Sequence, residues 1–213
     1  HDLYVMNMDE FKWNQLDEIL LPDGTMYKLN YTNSSQERLK LLSLTKSEPI
    51  KNLKETHQFY YNDLKLPDYF SGFYDHLGFY NGKDFSFVFN RAFYFDKYIT
   101  ALKLNPNAAS EMKNNANLFY TRRHGDATGY YAQAEILKKI KYPTGGYSSF
   151  YYEPHKVEGI VSEDRQSVVA CPSNSALSTP GGIRISNIKN YSADGKFMNE
   201  KTYSYKSGIL AFT

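Results

Sequence analysis

The stretch "LDEILLPDGTMYKLNY", residues 16–31, recurs in outline as "LKKIKYPTGGYSSFYY", residues 137–152. Laid over each other without a gap, Leu16 falls on Leu137, Ile19 on Ile140, Pro22 on Pro143, Gly24 on Gly145, Leu29 on Phe150 and Tyr31 on Tyr152. The shared positions are those a β-hairpin needs. Pro22 has its φ pre-set for the second position of a tight turn, Asp23 bonds its own downstream backbone, and Gly24 accepts the left-handed conformation that a three-residue loop with a bulge demands. Thr144 and Gly145 repeat that logic. After the turn, Tyr27, Leu29 and Tyr31 alternate with Lys28 and Asn30, the period of a half-buried strand. Before it, Leu16 and Ile19 stand three apart and would point to opposite faces of an unbroken strand. Either both faces are covered or a bulge intervenes.

A looser pattern, Leu/Ile-x-x-Leu/Ile, then a polar turn, then aromatic-x-Tyr, finds two more copies of different loop length. Leu41 and Leu44 lead through a turn near Ser47–Asn52 to Phe59 and Tyr61, and Ile185 and Ile188 lead through Asp194-Gly195 to Tyr203 and Tyr205. Four hairpin units result, near 14–32, 38–62, 135–153 and 183–206, with an insertion over 63–134. Twenty tyrosines and fourteen phenylalanines in 213 residues favour pleated, half-buried surfaces, and no long stretch has the spacing of an amphipathic helix. The best helix candidate is short: Asn105 as cap, Pro106 at the first helical position, Ala108, Ala109, Glu111 and Met112 as formers, with an end among Asn114–Asn117. The expected fold is therefore mainly β, one domain over 1–213 made of antiparallel hairpins in an open or partly wrapped sheet.

A formal charge of +2 gives no argument for nucleic acid or an anionic membrane as partner. Lys138, Lys139 and Lys141 interleave with Leu137 and Ile140, the pattern of a solvated strand face. No apolar run approaches the roughly eighteen residues that spanning a bilayer needs. With Cys171 alone, an internal disulfide and a multi-cysteine zinc cluster are excluded, and the residue reads as a small hydrophobe in "SVVACPSN".

The units above, together with "LPDYFSGFYDHLGFYNGK" (66–83) and "GGIRISNIKNYSADGKFMNEKTYSYKSGIL" (181–210), resemble the repeat-bearing region of large Bacteroidetes cell-surface or secreted proteins of the RHS/YD-repeat type. In that family a Tyr-Asp hairpin repeat with a "PDG" turn is stacked many times, and its best-known members wind such strands into a hollow shell. Here the units number four, and Tyr31, Tyr61, Tyr152 and Tyr205 are followed by Thr32, Asn62, Glu153 and Lys206 rather than Asp. A fragment or a compact open-sheet version fits these departures better than a closed shell. The resemblance implies an extracytoplasmic location and a structural role, with strand edges pairing to the remainder of a larger polypeptide or to neighbouring units.

Aromatic residues crowd in the insertion, which is where a repeat array tolerates a binding function. Tyr74, Asp75, His76, Phe79, Tyr80 and Asn81, with Tyr120, are the candidate ligand-binding residues, rings for stacking and polar tips for orienting a glycan or a peptide. The plainer reading makes these rings a core against the hairpin sheet, with Asn81-Gly82 as a turn. Catalytic motifs are not found: no G-x-S-x-G, H-E-x-x-H, Walker-type glycine loop or dinucleotide fingerprint occurs. His57, His76, His124 and His155 are widely separated, so no metal or other cofactor is expected, and no catalytic residue is assigned. "RRHGDATG" (122–129) is the most reactive-looking loop, and its favoured reading is a solvated connection leading into the third hairpin. Three classes of function follow: a structural repeat module, a carbohydrate- or peptide-binding module, and a hydrolase requiring a cleft with convergent acids, or with His76 or His124 beside a carboxylate.

Overall fold

The computed structural model describes residues 15–32, 38–68, 73–75, 77–83, 125–162, 164–171, 179–206 and 208–211. Each turn signal read from the sequence closes a hairpin: β1 (Glu18–Leu20) with β2 (Met26–Tyr31), β3 (Leu41–Glu48) with β4 (Leu53–Tyr61), and β5 (Leu137–Lys141) with β6 (Tyr147–Pro154). Two short strands follow, β7 (Gly159–Val161) and β8 (Val168–Ala170), then the fourth hairpin, β9 (Ile183–Tyr191) with β10 (Phe197–Thr202), and finally β11 (Ile209–Leu210). The large sheet has eight strands in the order β1-β2-β3-β4-β5-β6-β9-β10, every neighbouring pair antiparallel. A small sheet, β11-β7-β8, joins β11 to β7 in parallel. The fold is mainly β and open, as the hairpin pattern requires. Among the described residues the helical content is one 3-10 turn, Tyr131–Gln133; the helix expected after Asn105 lies outside them.

Equivalent sequence produces equivalent backbone. At the first turn, Leu21 N–H donates to the Thr25 carbonyl (2.9 Å) and Gly24 N–H to the Leu21 carbonyl (3.0 Å). In the third unit, Tyr142 donates to Gly146 (2.8 Å) and Gly145 to Tyr142 (2.9 Å), which are the same bonds at the aligned positions. The fourth unit repeats them through Ser192, Lys196 and Gly195. The turn glycines have φ of +81° at Gly24, +90° at Gly145 and +80° at Gly195, a region that L side chains adopt only with strain.

The spacing of three in Leu/Ile-x-x-Leu/Ile is explained by the joints between hairpins. Where β2 meets β3, Leu29 pairs with Leu44 and Tyr31 with Leu41, and the register slips between Asn30 and Tyr31. Where β4 meets β5, Phe59 pairs with Ile140 and Tyr61 with Leu137, with a slip between Tyr60 and Tyr61. Where β6 meets β9, Phe150 pairs with Ile188 and Tyr152 with Ile185, with a slip between Tyr151 and Tyr152. Each joint therefore carries one extra residue, Leu42, Lys138 or Ser186, as a β-bulge. That residue brings both aliphatic side chains opposite Leu29/Tyr31, Phe59/Tyr61 or Phe150/Tyr152, onto one half-buried face. Each such cross-strand pair adds about 0.2–1 kcal/mol.

Candidate functional site

Within the insertion, residues 73–75 and 77–83 fold into a tight loop because Asp75 organises it. Tyr74 and Tyr80 form an antiparallel bridge, and Asp75 N–H donates to the Phe79 carbonyl at 2.8 Å. The Asp75 carboxylate turns inward and accepts from the backbone N–H groups of Leu77 (2.8 Å) and Phe79 (2.9 Å) through Oδ1. Asn81 Oδ1 accepts from Lys83 N–H at 3.0 Å, an Asx turn. Both polar side chains are 1% exposed, the deepest in the described residues.

This loop lies against Tyr131 and against Gly181 and Gly182. A Cβ on Gly181, whose φ is +123°, would stand 1.9 Å from Asp75 Oδ2, and one on Gly182 would stand 2.6 Å from the Phe79 ring. Glycine is what lets the two segments approach. The Tyr80 ring meets Tyr131 edge to face at 5.3 Å and Phe73 at 6.2 Å, and Tyr131 meets Tyr130 at 5.2 Å. Burial, and then the neighbouring Tyr131 and Tyr130 phenols, push the Tyr80 hydroxyl up from its ordinary pKa.

Of the residues proposed from sequence, Tyr74, Asp75, Phe79, Tyr80 and Asn81 are thus brought together, and His76 and Tyr120 lie outside the described residues. Asp75 and Asn81 point into the fold. Tyr74 and Tyr80 are half-buried and Phe79 is exposed. Tyr130 and Tyr131, also exposed, were not singled out by sequence. Their only signal was adjacency, immediately after "RRHGDATG". In that loop Asp126 is a structural carboxylate: Oδ1 accepts from Thr128 N–H and Oγ1 (3.0 and 2.7 Å) and Oδ2 from Tyr131 N–H (2.9 Å). Burial works to raise its pKa, yet these hydrogen bonds prevail and hold it below the ordinary carboxylate value. His124 lies outside the described residues.

Among the described residues no three His, Cys, Asp or Glu side chains gather as metal ligands, and no helix is long and apolar enough to cross a membrane. His57 instead packs edge-on against Tyr142, ring centroids 5.9 Å apart. A depression of about 200 Å³ at the β3–β4 turn, lined by Ser47, Glu48, Pro49, Asn52, Leu53 and Lys54, is smaller than the roughly 300–1,000 Å³ of small-molecule pockets.

The other functional feature is the pair of sheet edges. β1 and β10 are the outermost strands, and every residue of both is exposed. Leu29 N–H donates to the Asp17 carbonyl (2.8 Å), so Asp17 and Ile19 turn their backbone groups to β2 and leave those of Glu18 and Leu20 facing outward. Tyr203 N–H donates to the Ser186 carbonyl (2.9 Å), so Thr202 and Ser204 face outward at the other edge. No family model, curated protein or solved structure matches the chain.

Proposed function

We propose that this chain is a non-catalytic structural repeat module of a larger extracytoplasmic polypeptide of the RHS/YD-repeat type. One observation carries the reading: three successive joints use the same pairing, the same one-residue bulge and the same aliphatic-to-aromatic partners. A chain selected for a single catalytic cleft has no need to repeat its joint, whereas a ribbon built by adding units does. The Asp75 and Asp126 carboxylates support the same reading, since both are engaged in holding loops. The test is to identify the complete polypeptide and where it resides. Protease shaving of intact producing cells, followed by peptide mass spectrometry, is expected to release peptides of this chain, and the flanking sequence is expected to encode further Leu/Ile-x-x-Leu/Ile…Tyr hairpins. Recovery of the chain only from the cell interior, without flanking hairpins, overturns the module reading.

A second reading, a carbohydrate- or peptide-binding module, is favoured by the edge-to-face cluster of Tyr80, Tyr131 and Tyr130 beside exposed Phe79. Such rings stack on sugar faces. Glycan- and peptide-array binding that is lost in Phe79→Ala and Tyr130→Ala supports it, and silence on both arrays removes it.

A further inference from the structure

We propose that the two edges of the large sheet are complementary docking surfaces occupied by a second copy of this chain: β1 of one copy adds beside β10 of the next. This rests on the module reading and specifies how its ends join. At each internal joint the residue two before the closing tyrosine faces the second aliphatic of the next unit, and the tyrosine faces the first. The residue after the tyrosine faces the one before that first aliphatic: Thr32 N–H donates to Lys40 (2.9 Å), Asn62 N–H to Ile136 (2.8 Å), and Glu153 pairs with Arg184.

Among the described residues no strand of the large sheet lies beyond β10, whose line continues through Tyr203 and Tyr205, and none lies beyond β1, which carries the Leu16/Ile19 pair. Applied to these ends, the joint places Tyr203 opposite Ile19, Tyr205 opposite Leu16 and Lys206 opposite Gln15, with Asp17 as the bulge residue. Tyr205 is already in the joint's geometry. Its hydroxyl donates to the Ile185 carbonyl at 2.8 Å, as Tyr31 does to Leu16 (3.0 Å), Tyr61 to Leu41 (2.9 Å) and Tyr152 to Leu137 (2.6 Å).

The charges agree. Residues 15–20 carry Asp17 and Glu18 with no cation, and residues 197–206 carry Lys201 and Lys206 against Glu200. An acidic edge meets a net basic one. The contact is heterologous, so it propagates rather than closing on a two-fold axis.

The experiment is edge complementation by sedimentation velocity over about 10 µM to 1 mM, the range where so short a joint associates. Glu18→Pro removes an outward N–H from β1, and Ser204→Pro removes one beside β10; neither breaks a bond within the sheet. The intact chain is expected to grow in mass with concentration, each variant alone to stay monomeric, and their equimolar mixture to give a dimer and nothing larger. A mixture that stays monomeric overturns the proposal, as does either variant dimerising alone, which marks a like-to-like edge. If a proline variant loses its far-UV β spectrum, Ile19→Lys and Tyr203→Lys form the replacement pair, because they keep every backbone donor. A negative result leaves the surface-shaving test of the module reading standing, and an intracellular location leaves the association measurement standing.

Discussion

Four tyrosine hydroxyls hold the four units, each reaching the carbonyl of the aliphatic residue that opens its own hairpin. Burial raises the Tyr152 hydroxyl above its ordinary pKa, favouring the protonated form that donates. Tyr152→Phe is expected to cost about 0.5–1.5 kcal/mol in urea unfolding, and Tyr205→Phe, at an exposed position, less. An equal loss from both variants contradicts a burial-dependent bond. The turn glycines give a second contrast. A Cβ at Gly24 meets nothing within 4 Å, whereas one at Gly145 stands 2.9 Å from Ala193 Cβ. Gly24→Ala therefore carries only the left-handed strain, about 1–2 kcal/mol, and Gly145→Ala is expected to lower the melting temperature further. A third outcome concerns acid. Hydrogen bonds from Lys46 and then Lys51 pull the Glu48 carboxyl from 4.5 down to about 2. A carboxyl lowered by folding adds stability above its unfolded value and loses it as pH falls through its folded one. Glu48→Gln is expected to flatten the stability profile between pH 4.5 and about 2, and an unchanged acid limb in that variant refutes the assignment.

At the level of the hairpin, what was legible was what is local. Pro22, Asp23 and Gly24 specify their turn within a few residues, and the Asp23 carboxyl accepts from Thr25 N–H at 2.9 Å, which lowers its pKa. The choice between a bulge and two covered faces stayed open in the sequence, because a bulge is defined by the strand across the joint, and the Phe59–Ile140 partners are far apart along the chain. The role of the closing tyrosines was invisible for the same reason: their period marks a strand, while their hydroxyl partners come from the far end of the hairpin. If the units are equivalent, residues 137–152 replaced by the sequence of 16–31 should still fold. The chimera is expected to keep its β circular dichroism with a lowered melting temperature, since Tyr147, stacked on Tyr191 at 4.7 Å, becomes Met. Loss of cooperative unfolding contradicts equivalence.

Across the whole molecule, the count and order of hairpins were legible and the small sheet was not. β7, β8 and β11 are two or three residues long, too short for alternation to register, and β11 finds β7 by a parallel pairing that no turn announces. In the described part of the aromatic insertion the buried side chains are polar, Asp75 and Asn81, and the glycines at 181 and 182 give room to Asp75 and Phe79 where another segment approaches. The joint is what makes separate hairpins one sheet, and its most distinctive instance ties β4 to β5. There Phe59 and Ile140 occupy a non-hydrogen-bonded pair, the geometry that brings opposing α-hydrogens closest. A nuclear Overhauser spectrum of the labelled chain is expected to show a strong α-to-α cross-peak between Phe59 and Ile140, alongside those of Leu29 with Leu44 and Phe150 with Ile188. A cross-peak joining Ile140 to Tyr60 instead, or none linking β4 to β5, contradicts the shared joint.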